Sequence, residues 1–359
     1  MVTDLFMQLM RVALGKSERL TVVPTVEEWE QLMALSSAQG MMAVAFCGVE
    51  RLPKEQCPPI EVIMDWSAVV DYIEQENRRL NRLCVKVCEM FRRDGKRMCV
   101  LKGQGMGVLY PWPLRRSNGD IDVWMEGEMD AVVAYVKAHF QQVEEPNLFH
   151  VAATLPGGVE LEVHYRPVCL SSPKKDALLR HWMTEMEPSQ WQNTVVLSEG
   201  VGQINVPTKE FDLVFILLHL FHHWVYEGCG MKPFMDYYWL VESLKDVTVR
   251  AKAVEVLRTL GLNAFLSAVM FIFKEWGMQD EQLLCPSDKR LGQLLLEDVL
   301  AVGIVTGDDL SVGRLGKESK FRRLWRRCQR MWKLMPLAPH EIPWLLYQSL
   351  FWRLKAKLK

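Results

Sequence analysis

Apolar residues recur at spacings of three and four through most of the chain, and at spacings of two only in a central stretch. Leu80, Leu83, Val87 and Phe91 mark one face of a long helix over 60–93. A Pro-rich break, LPKEQCPP, precedes it. Before that break Thr25 is placed to cap a helix running VEEWEQLMALSSAQGMMAVAF, with Glu27 and Glu28 in its first turn. The texture changes near Gly95. RMCVL (97–101) predicts a short buried strand, and DIDVWM (120–125) alternates as a half-exposed strand does. Residues 128–139 suit a helix. FHVAATL, PGG and VELEVHYRP predict a hairpin, two alternating runs around a Pro-Gly-Gly turn. From Thr208, a second candidate cap, the pattern is helical again: to Gly228, then over about 232–245, 249–258, 261–277, 289–302, 317–334 and 339–357. The expected fold is α+β and mostly helical. An N-terminal helical region (1–93) and a C-terminal helical domain (208–359) flank a small mixed β-sheet core (94–207).

Composition narrows the class. With 359 residues, 49% hydrophobic and 24% charged, the chain is long and apolar enough to bury a core, which excludes a disordered tail or a collagen-like repeat. The 43 basic and 44 acidic side chains almost cancel, but unevenly. From Arg314 to Lys359 there are 13 Lys/Arg against 2 Asp/Glu, so a basic end follows an acidic body. Nine cysteines, an odd number without a CxxC pair, suit a reducing compartment. The longest apolar run, Phe211 to Phe221, contains Asp212 and His219 and falls short of the about 20 residues a membrane span needs. The first residues lack a secretory layout, so a cytoplasmic location is expected.

The sharpest chemical feature is Asp120-Ile121-Asp122. Residues two apart on a strand share a face, so both carboxylates converge while Ile121 anchors behind them. Converging carboxylates repel, and a divalent cation relieves the repulsion; hard oxygens with substrate phosphates suit Mg²⁺. The same pair also suits an ordinary exposed strand face. Lys102-Gly103, with Gly105 and Gly107, forms a glycine-rich bend that favours phosphate or merely permits turns. Arg115, Arg116 and Lys102 add positive charge nearby. In VELEVHYRP, Glu160, Glu162 and His164 share a strand face, so a third carboxylate is at hand to ligate one ion and draw the proton from an attacking hydroxyl; Glu162 is the choice and Glu160 its competitor.

These residues resemble a family. VLKGQGMGVLYPWPLRRSNGDIDVWM is similar to the signature of uncharacterised bacterial nucleotidyltransferases within the polymerase-β superfamily, through Leu101-Lys102-Gly103, Tyr110-Pro111, Arg116 and Asp120-Ile121-Asp122. The later acid-x-His strand falls on Glu162 and His164, and a His, Gly, basic, Asp series on His222 or His223, Gly228, Lys232 and Asp236. The chain has Lys102-Gly103 where the superfamily usually has Gly-Ser, and Glu162 where Asp is commoner. The resemblance implies two Mg²⁺ ions on Asp120, Asp122 and Glu162, and a nucleoside triphosphate substrate, ATP first among them. Lys102, Gly103 and Arg116 would contact phosphate. The acceptor would be a hydroxyl of a small molecule, protein or RNA. A noncatalytic binding module on a degenerate form of the fold is the alternative.

Two further clusters are expected to be structural. His219 and His223 have zinc-compatible i, i+4 spacing, but Leu220 stands where a metalloprotease has Glu, so packing or a bond to Asp236 is the simpler expectation. KFRRLWRRCQRMWKLM (320–335) aligns Phe321, Leu324, Trp325 and Cys328 as one stripe. A helix docked on the acidic body accounts for it, and an anionic partner such as nucleic acid or a membrane surface is the other reading.

Overall fold

A computed structural model describes residues 2–302 and 320–348 of the 359-residue chain. Helices α1 (Val2–Ala13), α2 (Val26–Ala38) and α3 (Met42–Val49) lead into α4 (Ile60–Arg93). Thr25 caps α2 in a reciprocal box with Glu28, an arrangement of order 1 kcal/mol. The helix expected to run on to residue 46 stops instead at Ala38. Gly40 takes a positive φ of 67° and the chain restarts as α3, because a left-handed residue cannot continue an α-helix. The α4 helix has 34 residues, about 51 Å at the standard rise. Its first half buries Val62, Trp66 and Val70 in the helical core, and its last turns bury Leu80, Cys84, Val87, Cys88 and Phe91 under the sheet.

The sheet comprises β1 (Met98–Val100), β2 (Ile121–Met125), β3 (His150–Leu155) and β4 (Val159–His164), with α5 (Gln104–Gly107) and α6 (Met129–His139) between strands. Their spatial order is β1-β2-β4-β3. The β3–β4 hairpin is antiparallel, with Gly157 and Gly158 both at positive φ in its turn. The β1–β2 pair is antiparallel and β2–β4 parallel, so the sheet is mixed. One face, from Ile121, Val123, Val151, Leu161 and Val163, packs on α4 and on Val132 and Val136 of α6. Because β2 lies inside the sheet and is covered on both faces, it is buried along its whole length, not half-exposed as its alternation suggested. On the second face Trp124 packs against Trp191 and Phe211.

After β4 come α7 (Pro173–Met186) and a ribbon, β5 (Thr194–Val196) with β6 (Gln203–Asn205), that the alternation pattern did not reveal. The helical remainder is α8 (Lys209–Tyr226), α9 (Lys232–Ser243), α10 (Val247–Leu260), α11 (Asn263–Glu275), α12 (Lys289–Val302) and α13 (Lys320–Leu334). Thr208 caps α8 by accepting from the Phe211 amide. Basic helix α13 docks through buried Met331 and Leu334 and through Arg330, which pairs with Asp298 at 2.7 Å. Trp325 departs from the expected apolar stripe: it is 58% exposed. The side chains of Phe321 and Leu324, and the last expected helix beyond residue 348, lie outside the described residues. No helix among the described residues is long and apolar enough to cross a membrane.

Candidate active site

The parallel β2–β4 pairing sets the site. Register places Asp122 directly beside Glu162 and Trp124 beside His164. Asp120 precedes β2 on the same face. Ligand atoms of Asp120, Asp122 and Glu162 all lie within 4.8 Å of one another. Glu160 is on that face but exposed, at the hairpin end opposite Thr154, and does not join the trio.

The loop before β2 is held from two sides. Asn77 of α4 donates to the carbonyls of Leu114 and Arg116, both at 2.6 Å, and accepts from Asn118 at 2.8 Å. From the other side, Arg116 grips Asp236 of α9 with Nε and Nη2, each at 2.7 Å, and the Tyr110 hydroxyl donates to the same carboxylate at 2.6 Å. The remaining Arg116 nitrogen faces Asn118 and the Ser117 carbonyl. Arg116 thus fastens the loop to α9, and a phosphate contact would have to share a guanidinium already engaged. Arg115 turns away, to Glu50 and Glu74. Asp236, expected as a histidine partner, is taken by Arg116 and Tyr110; His223 instead meets Glu227 at 2.8 Å and His219 at 3.2 Å.

Gly103 has φ +57° and ψ −115°, a conformation natural only to glycine, and its missing Cβ faces the Asp120 carbonyl at 3.8 Å. Lys102, the residue before that kink, points at the acids. Its ammonium is 3.0 Å from Asp122 Oδ1 and 3.8 Å from Asp120 Oδ2. Burial opposes the charge on Lys102, but Asp122, Asp120 and Glu162 outweigh it and raise its pKa. Gly105 serves packing: a Cβ there would meet Val206 at 2.9 Å.

Glu162 is flanked by two imidazoles. His164 Nε2 lies 3.2 Å from its Oε2 and 3.4 Å from Asp122 Oδ1, while His150 Nδ1, across the hairpin, is 3.4 Å from Oε2. Burial pushes Glu162 up, but the His164 bond and the Lys102 charge prevail and hold it at about 2. His164 is raised because the two carboxylates overcome its burial, whereas burial lowers His150. Phe149 stacks on His164 and meets His150 and His222 edge-on. Burial depresses His219 strongly and His222 to about 4, with Lys102 adding to both, so α8 lines the site with neutral imidazoles. Lys232 opens α9 with its amine in the field of Asp120 and Asp236, yet no carboxylate lies within 4.0 Å of it among the described residues. Sequence reasoning missed His150, for which the only signal is its place opposite His164 in the hairpin.

A donor set of carboxylates fits a hard divalent cation, and Asp122 Oδ2 is buried without a hydrogen-bond partner among the described residues, the kind of atom a cation satisfies. The mixed sheet thus carries an acid pair at the start of β2 and a third acid on the neighbouring parallel strand β4. The chain belongs to the uncharacterised nucleotidyltransferase family, whose sequence profile matches residues 25–277. No curated protein sequence matches it. A solved structure of an antigenic nucleotidyltransferase-like protein from Paracoccidioides brasiliensis is similar at 13% identity and a TM-score of 0.37, over 60% of this chain and 96% of that one.

Proposed function

We propose that the chain transfers a nucleoside monophosphate from a nucleoside triphosphate, ATP first among them, to a hydroxyl of a small molecule, protein or RNA. The observation that carries this reading is the register pairing of Asp122 with Glu162, which, together with Asp120, gathers three carboxylates within 4.8 Å. In this proposal Asp120, Asp122 and Glu162 hold two Mg²⁺ ions. Such ions, when bound, neutralise triphosphate charge and lower the pKa of an acceptor hydroxyl. Glu162 completes one metal site and is the acid placed to take the acceptor proton, though the His164 bond and the Lys102 charge that hold it at about 2 favour the ligand role. Lys102 and Lys232 supply positive charge to the phosphates, and Gly103 lets the backbone approach them. Arg116 acts chiefly by fixing the Asp120 loop through Asp236. A reducing, cytoplasmic setting belongs to the same reading, given nine cysteines without a disulfide.

The test is incubation of cell extract with α-phosphate-labelled triphosphates. Label passing to a discrete species with the wild type and not with Asp122→Asn supports transfer. No label transfer, together with no Mg²⁺-dependent thermal shift by triphosphate, overturns it and leaves the noncatalytic alternative.

A further inference from the structure

A chain of contacts that begins outside the acidic trio leads to Glu162. Asn147, just before β3, accepts the backbone N–H groups of Phe149 and His150 at 2.9 and 3.0 Å through Oδ1. Only an oxygen can accept those two donors, so the amide direction is fixed. Its Nδ2 then faces His150 Nε2 at 2.7 Å. An amide N–H at that distance requires a lone pair on Nε2, which puts the proton of the neutral ring on Nδ1. Nδ1 is the atom 3.4 Å from Glu162 Oε2, an ion-pair contact outside hydrogen-bond geometry, and it has no hydrogen-bond partner among the described residues. His164 Nε2 approaches the same oxygen at 3.2 Å. Both imidazoles therefore crowd Oε2.

The three residues His150, Glu162 and His164 also have ligand atoms within 4.8 Å of one another, a set that suits a transition ion. A metal on His150 Nδ1 would drive the proton to Nε2, against the Asn147 amide. Asn147 would then have to turn over and abandon two backbone N–H groups. The amide direction favours the proton over the metal.

We infer that Asn147 and His150 are positioning residues for Glu162: Asn147 sets the His150 tautomer, and that tautomer stands the His150 Nδ1–H 3.4 Å from Oε2, where it steadies the carboxylate that would meet the cation shared with Asp120 and Asp122. The role rests on the proposed metal-binding reading of the trio. It is the same device by which outer partners orient carboxylate and histidine ligands in metal sites, where their loss costs about 10–100-fold in metal affinity.

The experiment has two readouts on the full chain. In protein labelled with ¹⁵N-histidine and assigned with a His150→Asn variant, metal-free at neutral pH, the ring nitrogen shifts should place the His150 proton on Nδ1. Mn²⁺ titration followed by electron paramagnetic resonance should then show His150→Ala weakening binding by about tenfold or more. His150→Asn, whose amide nitrogen stands near the Nδ1 position, should recover part of that loss, which a purely structural role would not predict. An Nε2–H tautomer overturns the inference. So does wild-type Mn²⁺ affinity in His150→Ala, or Zn²⁺ binding that is lost in His150→Ala but kept in Asp122→Asn. If Asp122→Asn leaves Mn²⁺ binding intact, the metal reading of the trio fails first, and the tautomer alone then reports on Asn147.

Discussion

Lys102 Nζ lies 3.0 Å from Asp122 Oδ1 and 3.8 Å from Asp120 Oδ2, so a cation of the chain's own sits beside the acid pair. The Asp122 side chain is fully buried and that of Lys102 is only 15% exposed, so little water screens them. Replacing Lys102 by Met strands a buried carboxylate and is expected to cost about 3 kcal/mol in metal-free protein. The same change removes the repulsion that an incoming divalent ion meets. Thermal melts with and without Mn²⁺ check both effects: Lys102→Met should melt lower than wild type without metal and gain more on adding it. A metal-induced gain no larger than that of the wild type would separate Lys102 from the cation site.

Arg116 and Asp236 form a second buried pair, bidentate, with the Tyr110 hydroxyl on the same carboxylate. Arg116→Ala leaves Asp236 buried with a single neutral donor, and a loss of about 3–5 kcal/mol is expected in urea unfolding. Arg116→Lys should recover little of it, since an ammonium cannot supply two parallel bonds to one carboxylate. A loss below about 1 kcal/mol would mean that the pair is not what fastens the Asp120 loop to α9.

Much of this arrangement was legible in the sequence where the rules are local. The ends of α4, the Thr25 and Thr208 caps and the β3–β4 hairpin follow from spacing, capping chemistry and a Gly-Gly turn. The convergence of Asp120 and Asp122 follows from the period of a strand. Other features depend on partners far along the chain. That β2 pairs in parallel with β4, and so selects Glu162 over Glu160, is a matter of tertiary register. Arg116 was expected to face phosphate because its partner Asp236 is 120 residues away. The burial of β2 on both faces could not be read from its alternation, because α8 supplies the second cover. The α2–α3 break was missed because Gly40 can sit inside a helical pattern or end it, and only its positive φ decides.

Gly103 tests the kink that follows Lys102. The space around its missing Cβ is open, with no neighbour nearer than 3.8 Å, so Gly103→Ala meets a backbone penalty and not a clash. At φ +57° and ψ −115° that penalty is about 1–3 kcal/mol. Gly103→Ser should cost the same, because the strain belongs to any Cβ. Matched urea curves for the two variants check this. Stability equal to wild type in both would mean that the loop relaxes, and Mn²⁺ titration of the same proteins would then report whether Lys102 still faces Asp122.

Glu341 gives a pH signature remote from the acidic trio. Its buried carboxylate accepts the Ser171 amide at 2.7 Å and the Ser172 amide at 3.3 Å, at the start of α7. Burial raises its pKa from 4.5 to about 7, more than the two amides lower it. The folded state therefore holds a proton between those values that the unfolded chain has released. Its contribution is fully present below about pH 4.5 and is lost as pH rises to 7, by at most about 3 kcal/mol. Glu341→Gln stays neutral in both states and lacks this dependence. The stability of the Gln variant relative to wild type should climb by up to that amount between pH 4.5 and 7 and then level off. The absolute difference also contains the altered bonding to Ser171 and Ser172, so the slope is what decides. Urea unfolding of both proteins at pH 4.5, 5.5, 6.5 and 8 measures it, and a difference constant across that series would show that Glu341 titrates as an ordinary carboxylate.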